Sequence, residues 1–419
     1  MKALLPGTFG ADGRPVTLGV MGGGQLGRMF VQAAQAMGYF TAVLEPDKTS
    51  PAGLVAHIHI DTDYNDEQGL AQLMQRCAAI TTEFENVPAP VLLTLGSHRP
   101  VAPPARCVAI CQDRAEEKHH FQASGVPCAP FAVIESAADL DRVSDELLPG
   151  ILKTARLGYD GKGQARVADR AALGAAWREL KQVPCVLERM LPLAHELSVI
   201  VARGHDGAMV ELPVQQNLHR DGILAVSLAP APDVAPALQQ EAVAAARRLA
   251  AEMAYVGVLC VEFFVLNEPL GGAVAPPSPK GSDPTRGRPL VGSNGSLVVN
   301  EMAPRPHNSG HYSIDACDVS QFELQGRCLA GLPLVPPRQH SSAVMLNLMG
   351  DLWFDAAGHE RTPSWDQVLA LPGAHLHLYG KTSARRARKM GHLTLTATDS
   401  AAALATARNA AALLGIAPW

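Results

Sequence analysis

A glycine-rich turn between a short apolar strand and a helix constrains the fold of this chain more than any other feature. The predicted strand Val16–Val20 leads into the loop Gly22–Gly27, and apolar residues at helical spacing follow. A second apolar segment, Phe40–Leu44, comes next. A strand, loop, helix and strand in this order imply a parallel sheet. The sequence therefore predicts an α/β protein that begins with such a unit.

Length and charge exclude several classes of protein. A chain of 419 residues predicts about two to three domains. Its net charge of −5 argues against a broad nucleic-acid or membrane-binding face. No apolar run reaches the ~18 residues of a membrane span. The eight cysteines are scattered without a CxxC pair, which indicates reduced thiols in a cytoplasmic protein.

Short strands are also expected along the rest of the chain. Residues 57–60, 78–82 and 108–110 are candidates in the first third, before a new unit begins near Asp113. Between residues 267 and 296 lie six prolines and six glycines, which predict a long mobile loop between two strands.

The first glycine-rich loop permits three interpretations. Gly22, Gly24 and Gly27 fit the G-x-G-x-x-G pattern, and Glu45 ends the next strand where a ribose-binding acid would lie. Taken alone, this pattern indicates NAD or FAD. The loop can also be a tight turn only, or it can hold the phosphate or base of another ligand.

A second glycine-rich loop follows the strand that ends at Lys153. Gly158, Gly161 and Gly163 alternate with charged residues, and no Walker lysine motif is present. Such a loop can fold over phosphates, although Asp-Gly is also common in solvated hairpin turns. The cation at the strand end favours phosphate binding.

Two carboxylates interrupt apolar strands on either side of the long loop. Glu262 lies within the segment 258–264, and Glu301 ends the segment 297–301. Unpaired carboxylates are costly to bury, and two converging ones suit Mg²⁺ with nucleotide phosphates. The alternative is that each faces solvent or a lysine at a sheet edge.

Three further groups can handle anions or polar ligands. The stiff loop 304–311 offers Arg, His and Asn donors, although a rigid surface turn has the same composition. The basic group at 381–389 suits a phosphate pocket as well as a solvated charge run. Glu83 and Glu85 point the same way if their segment is extended, so either can hold an amine or hydroxyl group.

The ordered set of motifs resembles one enzyme family. The motifs are Gly22–Met29, Glu83–Val87, Gly158–Gln164, Asn217–His219, Asn300–His311 and Lys389–His392. In this order, over about residues 16–415, they resemble the N5-carboxyaminoimidazole ribonucleotide synthetases of the ATP-grasp superfamily. The resemblance implies an ATP-dependent ligase of purine biosynthesis. ATP would phosphorylate bicarbonate to carboxyphosphate, and the amine of 5-aminoimidazole ribonucleotide would be carboxylated without biotin.

The resemblance also implies an organisation and a homodimeric state. The implied units are an N-terminal extension 1–15, a Rossmann-like domain 16–112, an ATP-grasp domain 113–335 and a C-terminal domain 336–419. The ATP-grasp domain would divide into a small lid lobe, 113–185, and a large lobe, 186–335, that carries the 267–296 insertion.

Roles for individual residues follow from the same resemblance. ATP would contact Arg114, Lys153, Gly158, Gly161, Gly163, Gln164, Glu188, Arg189, Met190, Leu191, Glu196, His219, Asn300 and Glu301. Mg²⁺ would be held by Glu262 and Glu301. Catalytic roles would fall to Lys162, within the loop that contacts ATP, and to Tyr159, Asp160, Arg305, His307 and Asn308, which would surround bicarbonate and the amine. The ribonucleotide would contact Gln25, Leu26, Glu83 and Lys381, with Arg385 or Arg388 at its phosphate.

Three rival functions are weighed against this one. Another ATP-grasp ligase would share the ATP lobe but bind a different nucleotide amine. An NAD-dependent oxidoreductase would use the first glycine-rich loop and give no role to Glu262 or Glu301. A catalytically silent binding protein of the same fold would not need the intact set of charged motif residues.

Overall fold

The structure, a computed structural model, describes residues 1–158, 162–268 and 297–419. Within these ranges the chain forms one parallel sheet and two antiparallel sheets. The predicted long loop, apart from its first two residues, lies outside the described residues. None of the helices within these ranges is long and apolar enough to cross a membrane.

The N-terminal unit is built around a parallel sheet of four strands in the order β3-β2-β1-β4. Its elements are β1 (Thr17–Met21), α1 (Gln25–Ala36), β2 (Phe40–Leu44), β3 (Ile58–Ile60), α2 (Glu67–Arg76), β4 (Ala79–Thr82), α3 (Ala89–Gly96) and α4 (Ala105–Cys111). The central strand β1 is buried throughout, which agrees with its unbroken apolar sequence. The predicted β-α-β unit is therefore present.

The predicted strand at 108–110 is wrong, because these residues belong to helix α4. Pro104 stands before the first turn of this helix, and Ala105 and Val108, three residues apart, are both buried. A short apolar run has the same appearance in a buried helix and in a buried strand, so its periodicity could not separate them.

A small antiparallel sheet follows, with the strand order β5-β8-β6-β7. Its elements are α5 (Arg114–Ala123), β5 (Phe131–Ile134), α6 (Ala137–Arg142), β6 (Gly150–Thr154), β7 (Gln164–Val167), α7 (Arg170–Glu179) and β8 (Cys185–Arg189). Trp177 of α7 packs with Leu152 and Leu187 in the core below this sheet. Strands β6 and β7 flank the second glycine-rich loop.

The third sheet contains nine described strands, all paired antiparallel, in the order β14-β13-β9-β11-β12-β15-β17-β16 with β10 beside β9. The first elements are β9 (Leu193–Arg203), β10 (Met209–Glu211), β11 (Gln215–Arg220), β12 (Ile223–Ala229), α8 (Pro236–Glu252), β13 (Gly257–Leu266) and β14 (Leu297–Ala303). The later elements are α9 (Ser313–Ala316), α10 (Gln321–Ala330), β15 (Ser342–Met349), α11 (Trp365–Leu369), β16 (Ala374–Leu378), β17 (Lys389–Ala397) and α12 (Ser400–Leu414).

The C-terminal strands extend this same sheet. Strand β15 pairs with β12, so that Leu346 lies opposite Val226. Both side chains are fully buried and share one apolar core with Leu393 and helix α12. Hydrogen bonds and apolar packing therefore both cross from residues before 335 to residues after it.

Residues 1–15 run along the protein without forming a helix or a named strand of their own. The N–H of Leu4 donates to the carbonyl of Ala330 at 2.8 Å, and Tyr39 donates its hydroxyl hydrogen to the carbonyl of Leu4 at 2.6 Å. The extension is thus tied both to the N-terminal unit and to the end of α10.

Leu346→Ala tests the continuity of the large sheet. Removing a fully buried side chain at the β12–β15 junction should lower the free energy of unfolding by about 2–5 kcal/mol. Urea unfolding followed by circular dichroism measures this loss. Leu378→Ala is the matched control, because Leu378 is 43% exposed at the sheet edge. Equal effects of the two substitutions would contradict a buried junction.

Candidate functional site

A cavity of about 910 Å³ opens where the three sheets meet. Glu83 enters it from the end of the parallel sheet, and Lys153 and Glu188 enter from the small sheet. Glu262 and Glu301 enter from the large sheet. Residues far apart in the chain thus share one chamber.

Most of the described residues predicted to form the site line this cavity. They are Gln25, Leu26, Glu83, Arg114, Lys153, Gly158, Lys162, Gly163, Gln164, Glu188, Arg189, Met190, Leu191, Glu196, His219, Glu262, Asn300, Glu301, Arg305, His307, Asn308, Lys381 and Arg388. Tyr159, Asp160 and Gly161 lie outside the described residues.

Arg385 does not line the cavity, in contrast to Arg388. The backbone of Arg385 packs so tightly on Gly350 that a Cβ atom there would lie 2.0 Å from the Arg385 carbonyl oxygen. Of the two arginines left open by the sequence, Arg388 is the one placed to meet a ligand.

The first glycine-rich loop is occupied by carboxylates of the same chain. Glu83 accepts the N–H groups of Gly24 at 2.9 Å and Gly27 at 3.0 Å, and Glu45 accepts that of Gly23 at 2.8 Å. These are the backbone donors that a dinucleotide pyrophosphate would need. The loop therefore anchors two acids of the same chain, and the N–H groups of its three bonded glycines are not available to a dinucleotide.

Three cations surround one buried carboxylate where the small sheet borders the cavity. The Nζ atoms of Lys118 and Lys153 lie 3.2 and 3.1 Å from the two carboxylate oxygens of Glu188. Burial opposes ionisation of Glu188, but Lys118, Lys153 and Arg114 lower its pKa to about 2. Glu188 is therefore a fixed anion that holds Lys153 in place.

Lys118 was missed by the sequence reasoning. It is fully buried in α5, one turn after Arg114, and it also donates to the carbonyl of Asn300 at 2.8 Å. The spacing of four residues puts Lys118 and Arg114 on one helix face, which is the signal that could have found it.

The two predicted metal ligands lie directly opposite each other on β13 and β14. Burial, followed by the charge of Glu301, raises the pKa of Glu262 to about 8. Burial opposes ionisation of Glu301 as well, but Arg114 and Lys153 lower its pKa. The Arg114 guanidinium lies 3.2 Å from Glu301. Without a cation the pair therefore holds one neutral and one ionised carboxyl group near pH 7.

The loop after β14 carries a second charged centre. Arg305 forms an ion pair and a hydrogen bond with Glu85, the other acid of the Glu83 segment. Burial, followed by the charge of Arg305, keeps the pKa of His307 well below its usual value. His307 Nε2 lies 3.5 Å from Glu262. A neutral imidazole is thus held between an arginine and the carboxylate pair.

His219 and Glu196 form a close pair at the wall of the cavity. Burial opposes protonation of His219, but Glu196 and Glu262 raise its pKa. The two residues are on adjacent strands, β11 and β9, which explains why residues 23 positions apart meet.

Asp315, His377 and His392 gather beside the cavity but do not form a metal centre as they stand. Their ligand atoms lie within 4.8 Å of one another. The rings of His377 and His392 are stacked, however, with centroids 4.5 Å apart and planes inclined by 13°. A metal ion bound by both rings must lie in the plane of each ring, along the lone pair of the ligating nitrogen. Two stacked rings have nearly parallel planes, so no one position satisfies both.

Two cations from the C-terminal part of the chain, Lys381 and Arg388, line the cavity. Lys381 donates to the carbonyl of Lys389 at 2.6 Å, and Arg388 donates to the carbonyl of Ser383 at 2.9 Å. Burial, followed by the charge of Arg388, lowers the pKa of Lys381 to about 8. An anion bound here would relieve the repulsion between the two cations.

The fold and cavity define an ATP-grasp enzyme. The ATP-grasp domain family matches residues 119–322. The ribonucleotide synthetase preATP-grasp domain matches residues 16–112, and the phosphoribosylaminoimidazole carboxylase C-terminal domain matches residues 343–406. The predicted fold class is therefore confirmed.

The relatives narrow the class to one family. N5-carboxyaminoimidazole ribonucleotide synthase of Brucella melitensis is 40% identical over 381 residues, 90% of this chain and 95% of its own. The Bacillus subtilis enzyme of the same name is 37% identical over 378 residues, 90% of each chain. The chain belongs to the N5-carboxyaminoimidazole ribonucleotide synthase family, as the sequence motifs predicted.

Solved structures agree with this membership. The Staphylococcus aureus N5-carboxyaminoimidazole synthetase complexed with ADP superposes with a TM-score of 0.82 at 33% identity, over 99% of each chain. The Aspergillus clavatus enzyme in complex with ADP and 5-aminoimidazole ribonucleotide has a TM-score of 0.81 at 28% identity, over 96% of this chain and 99% of its own. The oxidoreductase alternative is therefore set aside.

Glu117→Gln tests the charge balance in this cavity. Burial raises the pKa of Glu117 to about 8 in the folded protein, against 4.5 for its ordinary value. At a pH between these two pKa values, the folded protein holds a proton on Glu117 that unfolding releases. The free energy of unfolding of the wild type should therefore fall relative to that of the variant as pH rises from 5 to 8, by about 1.4 kcal/mol per pH unit at most. Denaturant unfolding of metal-free protein at several pH values measures the difference.

Glu116→Gln is the matched control, because Glu116 is the exposed neighbour on the same helix. It should show no pH-dependent difference from the wild type. A flat difference for Glu117→Gln over the same range would contradict a neutral buried Glu117.

Proposed function

We propose that this protein carboxylates the amine of 5-aminoimidazole ribonucleotide, using ATP and bicarbonate and releasing ADP and phosphate. The observation that carries the proposal is one cavity lined by three features. These are the cations Arg114 and Lys153, the carboxylate pair Glu262 and Glu301, and the loop 304–311. Membership of the synthase family supports the substrate. The Aspergillus relative, which binds ADP and the ribonucleotide together, supports their simultaneous presence.

ATP is proposed to lie between the small sheet and the large sheet. Arg114, Lys153 and Lys162 line this part of the cavity and supply positive charge for its phosphates. The backbone of residues 189–191 and the pair Glu196–His219 line the neighbouring wall, where the base and sugar would fit. Phosphoryl transfer depends mainly on positioning and charge neutralisation, which this set provides.

The carboxylate pair fits a magnesium ion. Glu262 Oε1 and Asn300 Oδ1 are buried and have no hydrogen-bond partner among the described residues. Oxygen ligands of this kind are the ones that Mg²⁺ prefers, and Glu301 lies directly opposite Glu262. Glu262 and Glu301 would hold the ion, which would neutralise charge on the transferred phosphoryl group.

Bicarbonate and the acceptor amine are proposed to meet beside the loop 304–311. Both amide atoms of Asn308 are buried without a partner in the described part of the chain, and Asn308 lines the cavity. Arg305 supplies a fixed positive charge for bicarbonate, and His307 is proposed to lie against the amine. Tyr159 and Asp160 are proposed to complete this site by the resemblance alone.

The ribonucleotide is proposed to span the parallel sheet and the C-terminal strands. Gln25, Leu26 and Glu83 line the cavity at the helix α1 end, where the base and ribose would fit. Lys381 and Arg388 would bind the phosphate.

A homodimer and a cytoplasmic location also stay predictions. Light scattering can check the homodimer, and cell fractionation can check the location.

Labelled bicarbonate tests the carboxyphosphate route. If a bicarbonate oxygen attacks the γ-phosphorus of ATP, that oxygen stays on phosphorus when the carboxyl group is transferred. Turnover with ¹⁸O-bicarbonate should therefore place one ¹⁸O atom in the phosphate product, as measured by mass spectrometry. Unlabelled phosphate formed alongside labelled carbamate would exclude this intermediate.

Glu301→Gln should abolish turnover and leave the fold intact, because it weakens magnesium binding and releases Arg114. Steady-state kcat and the unfolding midpoint are the two measurements. Glu323→Gln is the control, since Glu323 pairs with Arg327 on α10 and does not line the cavity. Unchanged kcat in Glu301→Gln would remove Glu301 from the metal site.

Arg388→Ala and Arg385→Ala separate the two arginines that the sequence left open. Loss of a charge-assisted contact to phosphate should raise the KM for the ribonucleotide roughly tenfold to a hundredfold in Arg388→Ala. Arg385→Ala should leave that KM near the wild-type value, because Arg385 is outside the cavity lining. The reverse result would place the phosphate on Arg385.

A further inference from the structure

One buried side chain outside the recognised motifs makes three contacts to the loop 304–311. Gln321 begins helix α10 and is fully buried. Its Oε1 atom accepts the backbone N–H of His307 at 2.9 Å, and its Nε2 atom donates to the carbonyl of the same residue at 2.8 Å. The side-chain amide therefore pairs with both polar groups of one backbone position.

The backbone contacts fix which way the amide points. A backbone N–H can only donate and a carbonyl can only accept, so Oε1 and Nε2 of Gln321 cannot exchange places. The same Nε2 lies 3.0 Å from Nδ1 of His311. His311 Nδ1 must then be the acceptor. Burial keeps this imidazole neutral by lowering its pKa well below the usual value, so its hydrogen is carried on Nε2.

The loop is packed too closely to shift without cost. A Cβ atom at Gly310 would lie 2.2 Å from Ile200 Cδ1 and 2.6 Å from Gln321 Oε1. Ser313 donates its hydroxyl hydrogen to the carbonyl of Gly310 at 2.6 Å and accepts the N–H of Gln321 at 3.0 Å. Loop and helix start are thus locked together.

We propose that Gln321 is a positioning residue of the carboxylation site. Its amide holds the backbone of His307 and the Nε2–H tautomer of His311, and thereby sets where His307 and Asn308 stand in the cavity. This inference rests on the proposed function, because those residues matter only if bicarbonate and the amine react beside them.

The His307 N–H donates to Gln321 Oε1, and the His307 carbonyl accepts both from Gln321 Nε2 and from the N–H of Gly310 at 3.0 Å. Replacing the NH₂ group by an oxygen atom would put two acceptors face to face at this carbonyl, and their repulsion should displace the loop. A displacement of about 1 Å at the reacting groups is enough to cost roughly a hundredfold in rate. ATP contacts, which come from other elements, should be preserved.

Gln321→Glu tests the tautomer directly. The substitution keeps the side-chain shape but removes the NH₂ group. An ionised carboxylate can only accept, so a hydrogen bond between the two side chains in the variant requires a hydrogen on His311 Nδ1. Nitrogen NMR of protein labelled with ¹⁵N-histidine reports the protonation of Nδ1, with His311→Asn used to assign the resonance. The expected result is an unprotonated Nδ1 in the wild type and a protonated one in the variant.

Kinetics supply the second readout. In Gln321→Glu, kcat should fall by about a hundredfold with the KM for ATP unchanged. Gln325→Glu is the matched control, because Gln325 is a second buried amide of α10 that contacts Thr81 and Thr82 instead of the loop. This control should leave the His311 tautomer unchanged and keep most of kcat.

Three results would overturn the inference. They are a protonated Nδ1 in the wild type, an unchanged kcat in Gln321→Glu, and an equal loss of kcat in Gln325→Glu. The wild-type NMR measurement needs no substrates, and the only variant it uses is the one that assigns the His311 resonance. Failure of the proposed function would appear instead as a wild-type protein that does not carboxylate the ribonucleotide, so the two failures are distinguishable.

Discussion

The rest of the site depends on the repulsion between Glu262 and Glu301, two carboxyl groups placed opposite each other on adjacent strands. Without a cation between them they cannot both be ionised near neutral pH. Because Arg114 pairs with Glu301 and lowers its pKa, Glu301 is the ionised member of the pair. The neighbouring buried carboxyl groups are divided in the same way between neutral and ionised. Glu117 and Glu262 are mainly neutral, while Glu188 is ionised and paired with Lys118 and Lys153.

This balance leaves the nucleotide side of the cavity prepared for an anion. Arg114, Lys118 and Lys153 supply three positive charges here, one more than the negative charges of Glu188 and Glu301. A nucleotide with its phosphates brings negative charge to this side, and a magnesium ion would allow Glu262 to ionise as well. On the proposed function, the metal and the nucleotide would therefore bind together.

The sequence predicted the fold well where a pattern was long or tied to a motif. Glycines mark the loop after β1, and a stiff polar segment marks the loop 304–311. The carboxylates of β13 and β14 are recognisable because charged residues are unusual in apolar strands. Residues 108–110 could not be assigned correctly, because a three-residue apolar run has no measurable period. Gln321 was missed because its role arises from contacts with a residue 14 positions away, which only the folded chain shows. Lys118 contacts Asn300, 182 positions away, and its only signal in the sequence is the helix face that it shares with Arg114.

Release of ADP in the presence of magnesium ATP and bicarbonate, with and without 5-aminoimidazole ribonucleotide, tests the account most directly. The account predicts that ADP release depends strongly on the ribonucleotide and is matched by loss of its free amine. ADP release that ignores the ribonucleotide and responds to a different amine would contradict it. That outcome would keep the ATP-binding half of the cavity and reassign the half formed by Glu83, Lys381 and Arg388.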